Sequence, residues 1–135
     1  MASKRKRIED RIWKLVQQVV RERDNYTCQG CGKYRKPDPG SGVRNFDCSH
    51  VFGRGAQRDP YLKWDVQNVK LMCFTCHQWF AECPTESGEW FAKEFPERLK
   101  YLRKLIIDRK FSGAVALYEL EEIEQSLRDK LRGTK

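Results

Sequence analysis

Two Cys-x-x-Cys pairs constrain this chain more than any other feature. The first, Cys28 and Cys31, stands in Tyr26-Thr27-Cys28-Gln29-Gly30-Cys31-Gly32. The second, Cys73 and Cys76, runs directly into His77. Four thiolates in two such pairs form the ligand set of a closed, tetrahedral structural Zn2+ site. Gly30 and Gly32 permit the tight backbone turn that a zinc knuckle needs. A zinc filled by four thiolates keeps no position for a substrate, so any chemistry must lie beside it. The polar groups left in that neighbourhood are His50, Asn68 and His77, and the two histidines are the only ones in the chain.

At 135 residues the chain is the size of one domain, residues 1–135, with a modest core. Its mean hydropathy of −0.80 describes a very polar surface. A metal cross-link suits such a core, because metal affinity becomes folding free energy. The net charge of +8 and a pI near 9.3 favour a polyanionic partner, nucleic acid ahead of a membrane. That excess is uneven: residues 1–23 carry a net +5, whereas Gly113 to Leu131 carry a net −3. Contact with nucleic acid is therefore expected at the N-terminal and central parts. The basic start, through Lys4-Arg5-Lys6-Arg7, is followed by no apolar signal segment, and no run approaches transmembrane length. Disulfides are therefore not expected, and a cytoplasmic location is. Cys48 and Cys83 remain as small buried or half-buried residues.

Along the chain, residues 3–23 are predicted to form a helix with Ile8, Ile12, Leu15, Val16, Val19 and Val20 on one face. Lys4, Arg5, Lys6 and Arg7 at its front are candidates for phosphate contact, or else a solvated terminus. A Pro- and Gly-rich loop follows the first cysteine pair. Val43 to Cys48, continued past His50 by Val51 and Phe52, is predicted as a short strand, Asp65 to Met72 as a second short strand or extended piece, and Cys73 to Ala81 as a helix. Residues between Gly53 and Pro60 read as loop. Thr85 or Ser87 is a candidate cap for a helix carrying Trp90, Phe91 and Phe95. Pro96 opens another helix with Leu99, Leu102, Leu105 and Ile106, and a last one runs to about Leu131. The expected fold is thus α+β and mostly helical. Trp64 and Trp79 flank the central segment; they are read as core, with base stacking as the alternative.

The residues of this central segment resemble a known family. Val20 to Gly32, then His50, Asn68, Cys73, Cys76 and His77 in that order, resemble the zinc-bearing HNH endonucleases. Asp47-Cys48-Ser49-His50-Val51-Phe52-Gly53-Arg54-Gly55 is most similar to the NinG-like phage recombination nucleases. The likeness covers residues 19–80 and leaves 85–135 as a helical C-terminal extension. It implies a ββα-metal core stapled by the zinc, with a catalytic Mg2+ or Mn2+ on the scissile phosphate. It implies His50 as general base, His77 as a ligand of the catalytic cation, and Asn68 as a residue that orients the His50 loop or assists the site directly. Many members have an acidic residue or a histidine directly before the base, where this chain has Ser49. Asp47 is the nearest carboxylate and a candidate metal or orienting residue, but it needs a bulge or turn if the strand is regular. Asp65 is a weaker candidate, and Arg54 a candidate phosphate contact. Two readings therefore stand: a metal-dependent DNA endonuclease, and a non-catalytic zinc-bearing DNA-binding module. A homodimer through the C-terminal helices is one way such an enzyme could cut two strands.

Overall fold

The computed structural model describes residues 2–52, 60–109 and 115–133. Helix α1 spans Lys4–Arg23, opened by Ser3, whose hydroxyl accepts from the Lys6 amide at 3.1 Å. Ile8, Ile12, Val16 and Val20 recur at four-residue intervals and are buried as one stripe. The chain leaves α1 through Asn25 and Tyr26, both left-handed at φ 52° and 54°, a geometry that is unusual for Tyr. Tyr26 is held there by its amide bond to the Arg21 carbonyl and by Gln18 on its hydroxyl.

The sheet has two antiparallel strands, β1 (Asp47–His50) and β2 (Val69–Met72). Asp47 pairs with Met72 and His50 with Val69, with no bulge between them. Both strands are shorter than the hydrophobic runs suggest. Val43 is exposed and residues 43–46 have no partner strand, so β1 starts only at Asp47. Asp65 accepts from the Gln67 amide and winds Val66–Asn68 into a single 3-10 turn, which delays β2 to Val69. A five-residue helix, α2 (Pro60–Trp64), fills the stretch before Asp65 to which the sequence assigns no element.

Helix α3 (Phe74–Glu82) follows β2, and α4 (Pro84–Glu94) begins with Pro84 at its first position. Neither Thr85 nor Ser87 caps α4. Ser87 is buried instead, and its hydroxyl donates to the Phe80 carbonyl at 3.1 Å. Helix α5 is Pro96–Arg109 and α6 is Leu117–Gly133. Leu120 and Leu127 of α6 join the α1 stripe, β2 and Cys28 in one core. The C-terminal helix thus packs back on the N-terminal one. A second cluster, Leu62, Phe91 and Leu102, carries an aromatic edge in which Trp90 stands perpendicular to Trp79, Phe80 and Phe95. Trp64 is buried in the main core, whereas Trp79 is half-buried and touches Trp90 edge-on. Among the described residues no helix is long and apolar enough to cross a membrane.

Three charged side chains lock the 65–71 segment in place. Asp24 is buried and accepts the Leu71 amide at 2.9 Å, while Arg23 clasps the same carboxylate and donates to the Val66 and Val69 carbonyls. Arg98 of α5 donates to the carbonyls of Gln67 and Val69.

Ile12 and Arg11 test which part of the α1–α6 contact carries the fold. Ile12→Ala leaves a cavity in a fully buried stripe and is expected to cost about 2–5 kcal/mol in urea unfolding. Arg11→Ala removes only an exposed ion pair with Glu124 (2.8 Å), and its transition is expected to stay close to wild type.

Candidate functional site

The four cysteines of the two pairs converge. Their Sγ atoms all lie within 4.8 Å of one another, and Cys31 and Cys73 are 3.8 Å apart. A tetrahedron with metal–sulfur bonds of about 2.3 Å has sulfur–sulfur edges of about 3.8 Å, so the cluster has the dimensions of a zinc site. The first pair sits on a knuckle closed by the Cys28 amide on the Lys33 carbonyl (2.7 Å) and the Gly32 amide on the Cys28 carbonyl (2.9 Å). Gly32 takes the left-handed φ of +80° that this turn requires. The second pair straddles the start of α3, with Cys73 in the cap position. The Gln29 amide on the Leu71 carbonyl (2.9 Å) joins the knuckle to β2.

The electrostatics suit a cation. Burial would raise the Cys28 thiol, but backbone amides of Cys73, Cys31 and Gly30 and the Cys31 side chain bring it down to about 7. Burial and the neighbouring thiols push Cys76 far the other way. One thiolate therefore forms readily at Cys28, while ionisation of Cys76 is opposed by burial and by its neighbours. A dication removes that opposition, and the cluster can bind a metal such as zinc. The other two cysteines take no part; Cys48 is half-buried, and burial raises its thiol to about 11.

Beside this cluster lies a cleft of 1390 Å³ lined by both histidines. His50 ends β1. Its Nε2 lies 3.0 Å from the Lys63 carbonyl, and its ring stacks on Trp13 of α1 at 5.3 Å and 13°. A carbonyl only accepts, so Nε2 carries the proton and the imidazole lone pair resides on Nδ1. His77, in α3, places Nδ1 3.2 Å from Asp47 Oδ2, and Arg44 donates to Asp47 Oδ1 at 3.0 Å. Asp47 needs no bulge to get there. In an unbroken strand Asp47 and Ser49 share the α3 face, while Cys48 and His50 face α1.

Asn68 is fully buried and grips the chain that follows His50. Its Oδ1 accepts from the Phe52 amide (2.9 Å), its Nδ2 donates to the Leu62 carbonyl (3.1 Å), and its own carbonyl accepts from the Val51 amide (2.7 Å). Asn68 thus ties β1's exit, α2 and β2 together. Asp65 is engaged elsewhere, by the Gln67 amide and the Tyr101 hydroxyl. Arg54 lies outside the described residues. Of the N-terminal cluster, Arg5 and Lys6 line the cleft but are ion-paired with Glu9 (3.1 Å) and Asp10 (2.9 Å). Lys4 and Arg7 do not line it.

Sequence reasoning missed Trp13, Arg44, the Lys63 carbonyl and Lys70. Lys70 is fully buried opposite Ser49, with its Nζ 3.3 Å from the Ser49 hydroxyl and 3.3 Å from the centre of the Phe80 ring. Burial, helped by Arg98 and opposed by Asp24, drives its amine well below the usual lysine range. Only a polar residue amid four apolar neighbours, Val69, Leu71, Met72 and Cys73, marked it in the sequence.

No family model matches the chain, and no curated protein or solved structure is significantly similar to it.

Gly30 is the position where the metal cluster is most easily disturbed. A Cβ there meets Cys76 Sγ at 2.9 Å and Cys76 Cβ at 3.0 Å. Gly30→Ala is expected to weaken zinc in competition with a chromogenic chelator. Gly88→Ala, in open space inside α4, is expected to leave the metal unchanged and stabilise by up to about 1 kcal/mol.

Proposed function

We propose that the chain is a metal-dependent DNA endonuclease of HNH type, acting in DNA processing of the kind that the NinG-like recombination nucleases perform. The observation that carries this reading is the shared cleft: His50 opens onto the same space as His77. Phosphodiester hydrolysis needs a base for water, relief of charge on the phosphate and stabilisation of the leaving oxygen. His50 Nδ1 is suited to take the proton from water near neutral pH. Lys63 and Trp13 hold the ring while it does so, and Asn68 fixes the loop on which the ring depends. Asp47 and His77 supply one carboxylate oxygen and one imidazole nitrogen, a donor set that fits Mg2+ or Mn2+ with most positions left to water and phosphate. Such a cation, when bound, offsets phosphate charge and stabilises the leaving oxygen. Ser49 and Lys70 fill the place directly before the base without offering it a carboxylate.

A specific feature favours the rival reading of a non-catalytic zinc-bearing DNA module. Asp47 is satisfied by Arg44 and His77 together, so the pair is complete as an ion-paired hydrogen bond. Nicking of supercoiled plasmid separates the two. The endonuclease reading expects relaxed circles in Mg2+ or Mn2+, none in EDTA, and a loss of about 10²-fold or more in His50→Ala with zinc content unchanged. Binding without nicking in any divalent metal overturns it in favour of the module.

A further inference from the structure

The cleft around His50 has two walls of different charge. On the α1 wall, Arg5 and Lys6 are each neutralised one turn on, by Glu9 and Asp10, which line the same cleft. The lining also includes Lys63, at the end of α2, and Arg103 of α5, two helices that share a core cluster through Leu62 and Leu102. Both are exposed, and among the described residues neither has a carboxylate partner. The Lys63 ammonium rests over the Trp64 ring at 5.5 Å, and its carbonyl is the group that holds His50. The uncompensated positive charge of the cleft therefore belongs to α2 and α5, not to the basic N-terminus.

We propose that Lys63 and Arg103 are the phosphate-contacting residues of this cleft and that a DNA strand runs along the α2–α5 wall, past His50. This rests on the reading of the chain as a DNA-binding nuclease and goes beyond it in naming the side of entry. An anion approaching the α1 wall must first displace a carboxylate from each cation, whereas at Lys63 and Arg103 it displaces only water and counterions. Arg103 presents a planar fork to phosphate oxygens, and Lys63 a point charge next to the candidate base. Helix α5 lies beyond the segment that resembles the HNH enzymes, so this contact is the chain's own addition to it.

The salt dependence of binding tests the proposal without requiring cleavage. A fluorescein-labelled duplex of about 20 base pairs is titrated in EDTA at several salt concentrations, and log K is plotted against log salt. Each phosphate contact contributes about 0.9 to the slope, so Lys63→Gln/Arg103→Gln is expected to flatten it by about 1.8. Arg5→Gln/Lys6→Gln is expected to keep the wild-type slope. All four side chains are on the surface, and zinc content with circular dichroism controls for folding. A wild-type slope in Lys63→Gln/Arg103→Gln, with wild-type protein binding well, overturns this assignment and leaves the nuclease reading standing. So does flattening in Arg5→Gln/Lys6→Gln alone. A wild-type protein that binds no duplex at low salt overturns both together.

Discussion

The cysteine cluster is the constraint on which the rest depends. It joins a knuckle that has almost no secondary structure of its own to the end of β2 and the start of α3. Without that link the β1–β2 pair is a two-stranded ribbon of four residues each, and such a ribbon is marginal alone. The link also sets direction. Cys73 caps α3 and Cys76 sits in its first turn, so His77, the next residue, is fixed in azimuth by the cluster. The contact between His77 and Asp47 across to β1 follows from that placement. The cysteine cluster thus positions a functional candidate that is not one of its own members.

The second constraint is the accounting of backbone groups in residues 65–71. Until Val69 this segment is a single 3-10 turn, and its backbone must find partners for amides and carbonyls that the turn leaves unpaired. Asp24, Arg23 and Arg98 supply them. Arg98 is so far withdrawn from water, with Arg23 nearby, that its guanidinium falls to about 10 despite Asp24 and Asp65. A buried charge network of this kind is expensive and contributes little net stability, but removing one member strands the others. It specifies one conformation for the segment that carries Asn68. Lys70 belongs to the same economy, since an apolar ring and a hydroxyl accommodate its amine where a charge has no counter-ion.

What could be read from residues was whatever repeats or has fixed spacing. The α1 stripe of Ile8, Ile12, Val16 and Val20 and the α6 stripe of Leu120 and Leu127 follow helical period, and the cysteine pairs follow metal-ligand spacing. Helix α2 was not legible because five residues hold barely more than one turn, too short for periodicity to show. The bounds of β1 were not legible because a strand exists only where a partner pairs with it, and Val43 to Phe46 have none. Trp13 and Lys63 act on His50 from thirty-seven residues before and thirteen after it, through a ring face and a carbonyl. Neither signal is local in sequence. Nor could α6 be seen to return to α1, because an amphipathic stripe says that a partner exists and not which one.

The parity of β1 carries one last consequence. Asp47 faces α3 and His50 faces α1, so a flat sheet would keep the carboxylate–imidazole pair and the other imidazole on opposite sides. The two imidazoles nevertheless line one cleft, because β1 ends at His50. Beyond it the chain bends, and the sheet no longer separates the two faces. Asn68 makes that bend, holding Val51 and Phe52 by three hydrogen bonds from a position with no exposed surface. The length of β1, and hence the residue Asn68 at its exit, bears on whether the two histidines share one cleft.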